Sequence, residues 1–197
     1  MDDHDNTVNI KSEKRNYHHG DLRNSLINAG LEALKREDAD TISLRAVARE
    51  VGVSATSVYR HFPDKQSFID ALCREGTLLL ARAQREAMNA AGGGQEGLDA
   101  TGFSYVRFAL ENPTLFRLMS KAPPSDTALG GAKDPAKKEL MTNVATLMSD
   151  DTTAEEREIR AMHAWSVVHG ITMLVLEGRL PNEEAVIKAV IRTPVEH

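Results

Sequence analysis

The stretch from Ile42 to Phe62 constrains the fold of this chain more than any other. Leu44, Val47, Ala48 and Val51 recur at helical spacing and share one face. Ser43 before them is a residue type that caps helix N-termini, and Gly52 after them is the type that best tolerates a left-handed turn. A second short run follows the turn: Ser54 caps it, Val58 and Phe62 lie on one side of it, and Pro63-Asp64 breaks the chain. Two short helices joined by a glycine-bearing turn, with small Ala48 where they must cross closely, make a helix-turn-helix pattern.

The outward faces of that pattern carry its chemistry. At about 100° per residue, taking Val58 as inward puts Thr56 and Arg60 almost opposite, with Ser57 and Tyr59 to either side. Arg45 and Arg49 lie opposite Val47 on the preceding helix. Such a face suits a major groove: Arg60 can donate two hydrogen bonds to guanine, and the Thr56 methyl can touch thymine. Ser43 and the N–H groups beside it can hold a phosphate, and Lys65 can do the same by point charge. Plainer readings stand beside this one. The pair can be a hairpin that merely packs with solvated arginines, Tyr59 can belong partly to the core, and His61, nearer the Val58 side, can be a packed or helix-ending histidine as readily as a phosphate contact.

Charge distribution sharpens the point. The chain of 197 residues carries a net −5, but residues 41–65 carry +2, leaving −7 elsewhere. Lys14, Arg15 and Arg23 around Tyr17-His18-His19 read as a basic arm entering the same region. Bulk electrostatic coating of nucleic acid is therefore excluded, while one end suits a polyanion. With 41% hydrophobic and 27% charged residues the chain can bury a core. The single cysteine, Cys73, cannot form an internal disulfide, and the acidic start Met1-Asp2-Asp3-His4-Asp5 is unlike a signal peptide. No uninterrupted apolar run approaches spanning length, so a cytoplasmic location is expected.

Outside this pattern the chain reads as helix almost throughout, and about nine helices in an all-α fold are expected. Residues 1–19 read as a flexible arm. A first helix begins near Asp21 as N-cap, and a long fourth one runs from about Lys65 to Ala91, ended by Gly92-Gly93-Gly94. A fifth covers roughly 97–111, and Asn112-Pro113 opens a sixth to about Lys121. The stretch from Ala122 to Lys133 reads as the longest loop. Asp134-Pro135 opens a seventh helix to about Met148, Thr153 an eighth and Asn182 a ninth.

Tyr17-His18-His19-Gly20-Asp21-Leu22-Arg23, the run Leu44 to Ser54, and Val58-Tyr59-Arg60-His61-Phe62-Pro63-Asp64-Lys65 together resemble the N-terminal domain of the TetR family of transcriptional regulators. The resemblance implies phosphate contacts from Ser43, Tyr59, His61 and Lys65, and base-facing positions for Arg45, Ala55, Thr56 and Arg60. Ala55 is too short to hydrogen-bond a base. Ala164-Trp165-Ser166-Val167-Val168-His169-Gly170, preceded by Asn112 to Met119, is similar to the subgroup whose regulatory domain bears a Trp-His-Gly signature. By that likeness residues 20–66 form the DNA-binding domain and 67–197 a regulatory domain. A homodimer on palindromic double-stranded operator DNA is implied, released by a small molecule and usually acting as a repressor.

The regulatory half adds its own signals. From Ala161 to Leu176 the eighth helix is apolar on nearly every side, which predicts either a deep core or a second chain over one face, and the ninth adds Val186, Ile187 and Val190. A homodimer through helices eight and nine is the expectation. Trp165 and His169 share a face, and Gly170 costs about 1 kcal/mol in a helix interior unless something approaches closely. With Phe103, Arg107, Phe116, Met119 and Met141 they are candidates to line an effector pocket, against the plainer reading of ordinary core; seven methionines suit a soft lining. No cofactor, metal site or catalytic residue is expected, because the histidines lack metal-ligand spacing and no nucleophile, acid-base pair or phosphate loop is present. An activator of the same fold, or a helical adaptor binding protein through the Trp165 region, are the alternatives.

Overall fold

The computed structural model describes residues 19–121 and 134–192. These form nine helices: α1 His19–Leu34, α2 Leu44–Val51, α3 Ala55–His61, α4 Lys65–Ala90, α5 Gly94–Glu111, α6 Pro113–Lys121, α7 Pro135–Ala145, α8 Ala154–Leu176 and α9 Glu184–Arg192. Residues 1–18 of the expected arm and the stretch 122–133 expected as the longest loop lie outside the described residues, while His19, expected as the last residue of the arm, opens α1. Asp21 is not the N-cap of α1 but sits inside it, since the helix already runs from His19. Gly94 opens α5 three residues earlier than expected, because Gly93 at φ 78° makes the turn and Gly97 N–H reaches back to its carbonyl at 3.0 Å. Helix α7 stops at Ala145, and Leu147 and Met148 close in tighter turns.

Local chemistry explains the other ends. Gly52 adopts φ 78°, and Val53 N–H bonds back to Ala48 O at 2.9 Å, which satisfies a carbonyl at the end of α2. No atom comes within 4 Å of a Cβ built there, so glycine is needed for its dihedral angle and not for space. Asp64 and Ser67 form a reciprocal capping box at the start of α4, as Thr153 and Glu156 do for α8.

Helix α4 joins the two ends of the molecule. Leu72, Gly76, Leu80, Gln84 and Met88 fall one turn apart and are all buried. Its start packs on α1, where Gly30 lies against Phe68 and Leu72, and Phe68 meets Phe62 edge-on at 4.9 Å. Its middle meets α6, where Gly76 lies under Leu115 and Met119, and its remainder packs on α5 and α7. The main core is continuous from Leu22 in α1 to Val168 in α8, so no break in packing marks position 66. Smaller clusters tie α5, α8 and α9 through Val106, Ile171 and Ile187, and α7 to α8 through Leu140, Val144 and Ala161.

Helix α8 divides its apolar surface. Ala161, Val168, Ile171, Thr172 and Val175 face the bundle, while Ile159, Ser166, Gly170 and Leu174 form an outward stripe. By length and mean composition α8 is also apolar enough to cross a bilayer, although His163, Ser166, His169 and Thr172 interrupt the run.

Candidate nucleic-acid interface and regulatory cavity

Helices α2 and α3 present the predicted outward residues together. Val58 is fully buried and Phe62 nearly so, which turns Thr56 and Arg60 to solvent, and Tyr59 is 46% exposed. Arg45 and Arg49 are exposed on α2. None of Arg45, Arg49 and Arg60 has an ion-pair partner among the described residues, whereas Arg36 is spent on Glu50 at 3.3 Å. Ser43 is the N-cap residue of α2 by its extended backbone, yet its side chain caps nothing. Its hydroxyl and the first N–H groups of α2 are therefore open to a phosphate oxygen.

Other predicted contacts are partly committed. The Ser57 N–H donates to Ser54 Oγ at 3.2 Å and the two hydroxyls pair at 2.9 Å, so Ser57 serves first in the α3 cap. Lys65 Nζ donates to Asp40 O at 2.6 Å, which braces the loop before α2 and leaves two of its three donors. His61 and Ala55 are half-buried. Arg23 lies 5.2 Å over the Phe62 ring, fixing α1 to the end of α3.

The structure does not gather the seven pocket candidates around one cavity. A cleft of about 950 Å³ opens between α4, α5, α7, α8 and α9, and of the seven only Trp165 lines it. Phe103 and Arg107 share a face of α5 that turns the other way: Lys188 of α9 sits 4.7 Å over Phe103, and exposed Arg107 bonds Glu111 at 2.6 Å. Thr101 and Tyr105, on the opposite side of α5, face inward instead. Met119 lies on Gly76, and Met141 borders a second pocket of about 10 Å³ that Trp165 also touches.

His169, Phe116 and Trp165 do meet. The His169 ring lies 5.6 Å from Trp165 and 5.9 Å from Phe116, and its Nδ1 is 3.0 Å from the Tyr105 hydroxyl. Burial pushes the His169 pKa down. Burial also raises that of Tyr105 to about 12, with the Trp165 side chain pulling the other way. Both are neutral near pH 7, and which of the two donates is set by the imidazole tautomer. Tyr105 edges onto Phe116 at 5.5 Å, and Phe116 rides on α6 beside Leu115 and Met119, which rest on α4. A chain of packed groups thus runs from the cleft wall to the helix that begins beside the helix-turn-helix.

Sequence reasoning missed the polar floor of this cleft. Gln84 and Thr101 line it, and Asn143 Nδ2 donates to Thr101 Oγ1 at 3.3 Å while Thr101 donates to Gly97 O at 2.9 Å. The signal was present in α4: a glutamine one turn from Leu80 and Met88 interrupts an otherwise apolar stripe.

A helix-turn-helix with a bare cationic face, joined through one long helix to a cavity-bearing helical bundle, defines a DNA-binding regulator. Residues 26–72 match the family described as bacterial regulatory proteins, tetR family, and residues 98–195 match the tetracyclin repressor-like C-terminal domain. A structure of a protein of unknown function from Rhodococcus sp. RHA1 is 30% identical over 90% of this chain and 95% of its own, with a TM-score of 0.74. A tetR-family transcriptional regulator from Streptomyces coelicolor (21% identical, 87% of this chain and 78% of its own, TM-score 0.66) shares the fold. So does the TetR family repressor AlkX from Dietzia sp. (16%, 86% and 90%, TM-score 0.57). The chain belongs to the TetR family of transcriptional regulators, which are not enzymes. Members bind operator DNA as dimers and respond to small-molecule effectors.

Proposed function

We propose that this chain is a cytoplasmic repressor that binds a palindromic operator as a homodimer and leaves it when a small molecule enters the cleft. The observation that carries this reading is the row of Arg45, Arg49 and Arg60, exposed on the outer faces of α2 and α3 and without ion-pair partners among the described residues. In it, residues 20–66 are the reading domain and 67–197 the regulatory domain, with α4 crossing between them. Arg60 and Thr56 read bases, supported by Arg45 and Ala55. Ser43, Tyr59, His61 and Lys65 hold phosphates, and Ser57 keeps α3 capped. The segment Ala164 to Gly170 supports membership of the Trp-His-Gly subgroup. Dimerisation uses the outward stripe of α8 with Val190 of α9, because Leu174 is 39% and Val190 40% exposed in the single chain.

Release follows from differential binding. A ligand against Trp165 must favour a conformer in which the two reading heads no longer meet successive major grooves. The contacts from Trp165 through His169 and Phe116 to α6, and from Leu115 and Met119 to Gly76, supply the route. Trp165 is the sole tryptophan, so its emission reports the cleft. Titration with apolar effectors should change that emission, and operator DNA should move the curve to higher ligand concentration by the factor with which ligand weakens DNA. An effector that abolishes operator binding without touching Trp165 emission places the pocket away from α8.

A further inference from the structure

Gln84 is the anomaly in the regulatory half. It is 3% exposed in the middle of α4, lines the cleft, and its Oε1 is buried without a hydrogen-bond partner among the described residues. An unmade hydrogen bond of this kind costs about 1–3 kcal/mol, which a protein tolerates where a ligand makes the bond instead. The two ends of a carboxamide are nearly the same shape, so a half-turn about its last bond presents either oxygen or NH2 to the cleft. The neighbouring polar groups are already engaged: Thr101 with Gly97 O, Asn143 with Thr101, and Tyr105 with His169.

The rest of the cleft limits what can meet that amide. Leu98, Leu140, Val144, Trp165, Val168 and Ile191 make its walls apolar. Its charged residues are largely committed: Asp99, mostly buried, accepts from Gln95 at 2.8 Å and pairs with Arg192 at 3.4 Å, and exposed Glu156 is held by the Thr153 cap. Exposed Arg160 and His163 stand on α8. A charged group driven down to Gln84 would therefore lose its water without gaining a counter-ion.

We propose that the cleft takes an apolar, uncharged molecule bearing one hydroxyl or amide group, and that Gln84 is the residue that selects it. The proposal rests on the reading of this cleft as the effector site and adds the chemistry of its occupant. A hydroxyl satisfies the carboxamide in either orientation. A hydrocarbon of the same skeleton can neither donate to Oε1 nor accept from Nε2, and leaving a buried amide unpaired is what makes such sites discriminate.

The test uses the full-length protein, cyclododecanol and cyclododecane, both optically silent, with Trp165 emission as the readout. Gln84→Met is expected to weaken cyclododecanol about tenfold while leaving cyclododecane binding unchanged. Gln84→Leu, checked for helix content by circular dichroism, should behave the same way. A cyclododecanol affinity that neither variant lowers overturns the role of Gln84 and leaves the cleft as a ligand site. An equal loss of both compounds overturns it as well. No response of Trp165 to either compound overturns the proposal together with the effector-site reading.

Discussion

Adding one methyl group at Gly30 tests how tightly the reading head is fixed to α4. A Cβ built there lies 2.5 Å from Phe68 Cζ, 3.0 Å from Phe68 Cε1 and 2.9 Å from Leu72 Cδ2, against the ~3.5–4.0 Å at which carbons rest. Neither neighbour can step aside cheaply, since Phe68 and Leu72 are fully buried and Phe68 is packed edge-on against Phe62. Overpacking of this kind costs roughly 1–3 kcal/mol. Alanine in place of glycine inside a helix returns about 1 kcal/mol. Because the closest approach is about 1 Å inside contact distance, the upper part of the range applies, and Gly30→Ala should destabilise by about 1–2 kcal/mol. For a chain of this size that lowers Tm by roughly 2–8 °C. Thermal and urea unfolding followed by circular dichroism measure it directly. A variant more stable than wild type by about 1 kcal/mol would show that helix propensity acts alone and that α1 and α4 do not approach as described.

Three further outcomes are expected. Leu174→Glu, tolerable on the exposed face of one chain, should give monomers in sedimentation and poor operator affinity; a variant that stays dimeric and binds normally puts the interface elsewhere. Lys65→Ala should weaken all DNA sequences alike and lower the salt slope by about one unit, whereas an unchanged slope leaves Lys65 only as the brace on Asp40 O. His169 is held neutral by burial, so the unfolded chain takes up a proton that the folded chain refuses. That contribution is complete above about pH 6.5 and lost as pH falls through the ordinary histidine range toward the lowered folded value. Urea midpoints of wild type should therefore drop over that window relative to His169→Gln, and a parallel pair of curves would contradict the burial argument.

The reading helices were legible because their signals are local. Ser54, Gly52 and the Val58–Phe62 spacing act within a few residues, so capping, turn chemistry and inward direction follow from the sequence alone. The outward arginines come with that assignment. Where tertiary contacts choose between faces, sequence is a weaker guide. On α5 the run is apolar enough that Phe103 and Arg107 or Thr101 and Tyr105 could face inward, and packing against α4, α7 and α8 selects the second pair. Gln84 went unread for a related reason: its burial depends on α5 closing over α4. The start of α1 before Asp21 and the Gly93 turn into α5 are end effects that dihedral choice at a single residue decides.

In the proposed function α3 reads DNA sequence through Arg60. A duplex recovered from genomic DNA by selection with the wild-type protein, titrated alongside a random duplex by fluorescence anisotropy at several salt concentrations, measures this directly. Arg60→Ala should lose about 1–3 kcal/mol on the selected duplex and little on the random one. Equal losses on both duplexes would make Arg60 a phosphate contact and contradict the reading of α3 as the recognition helix.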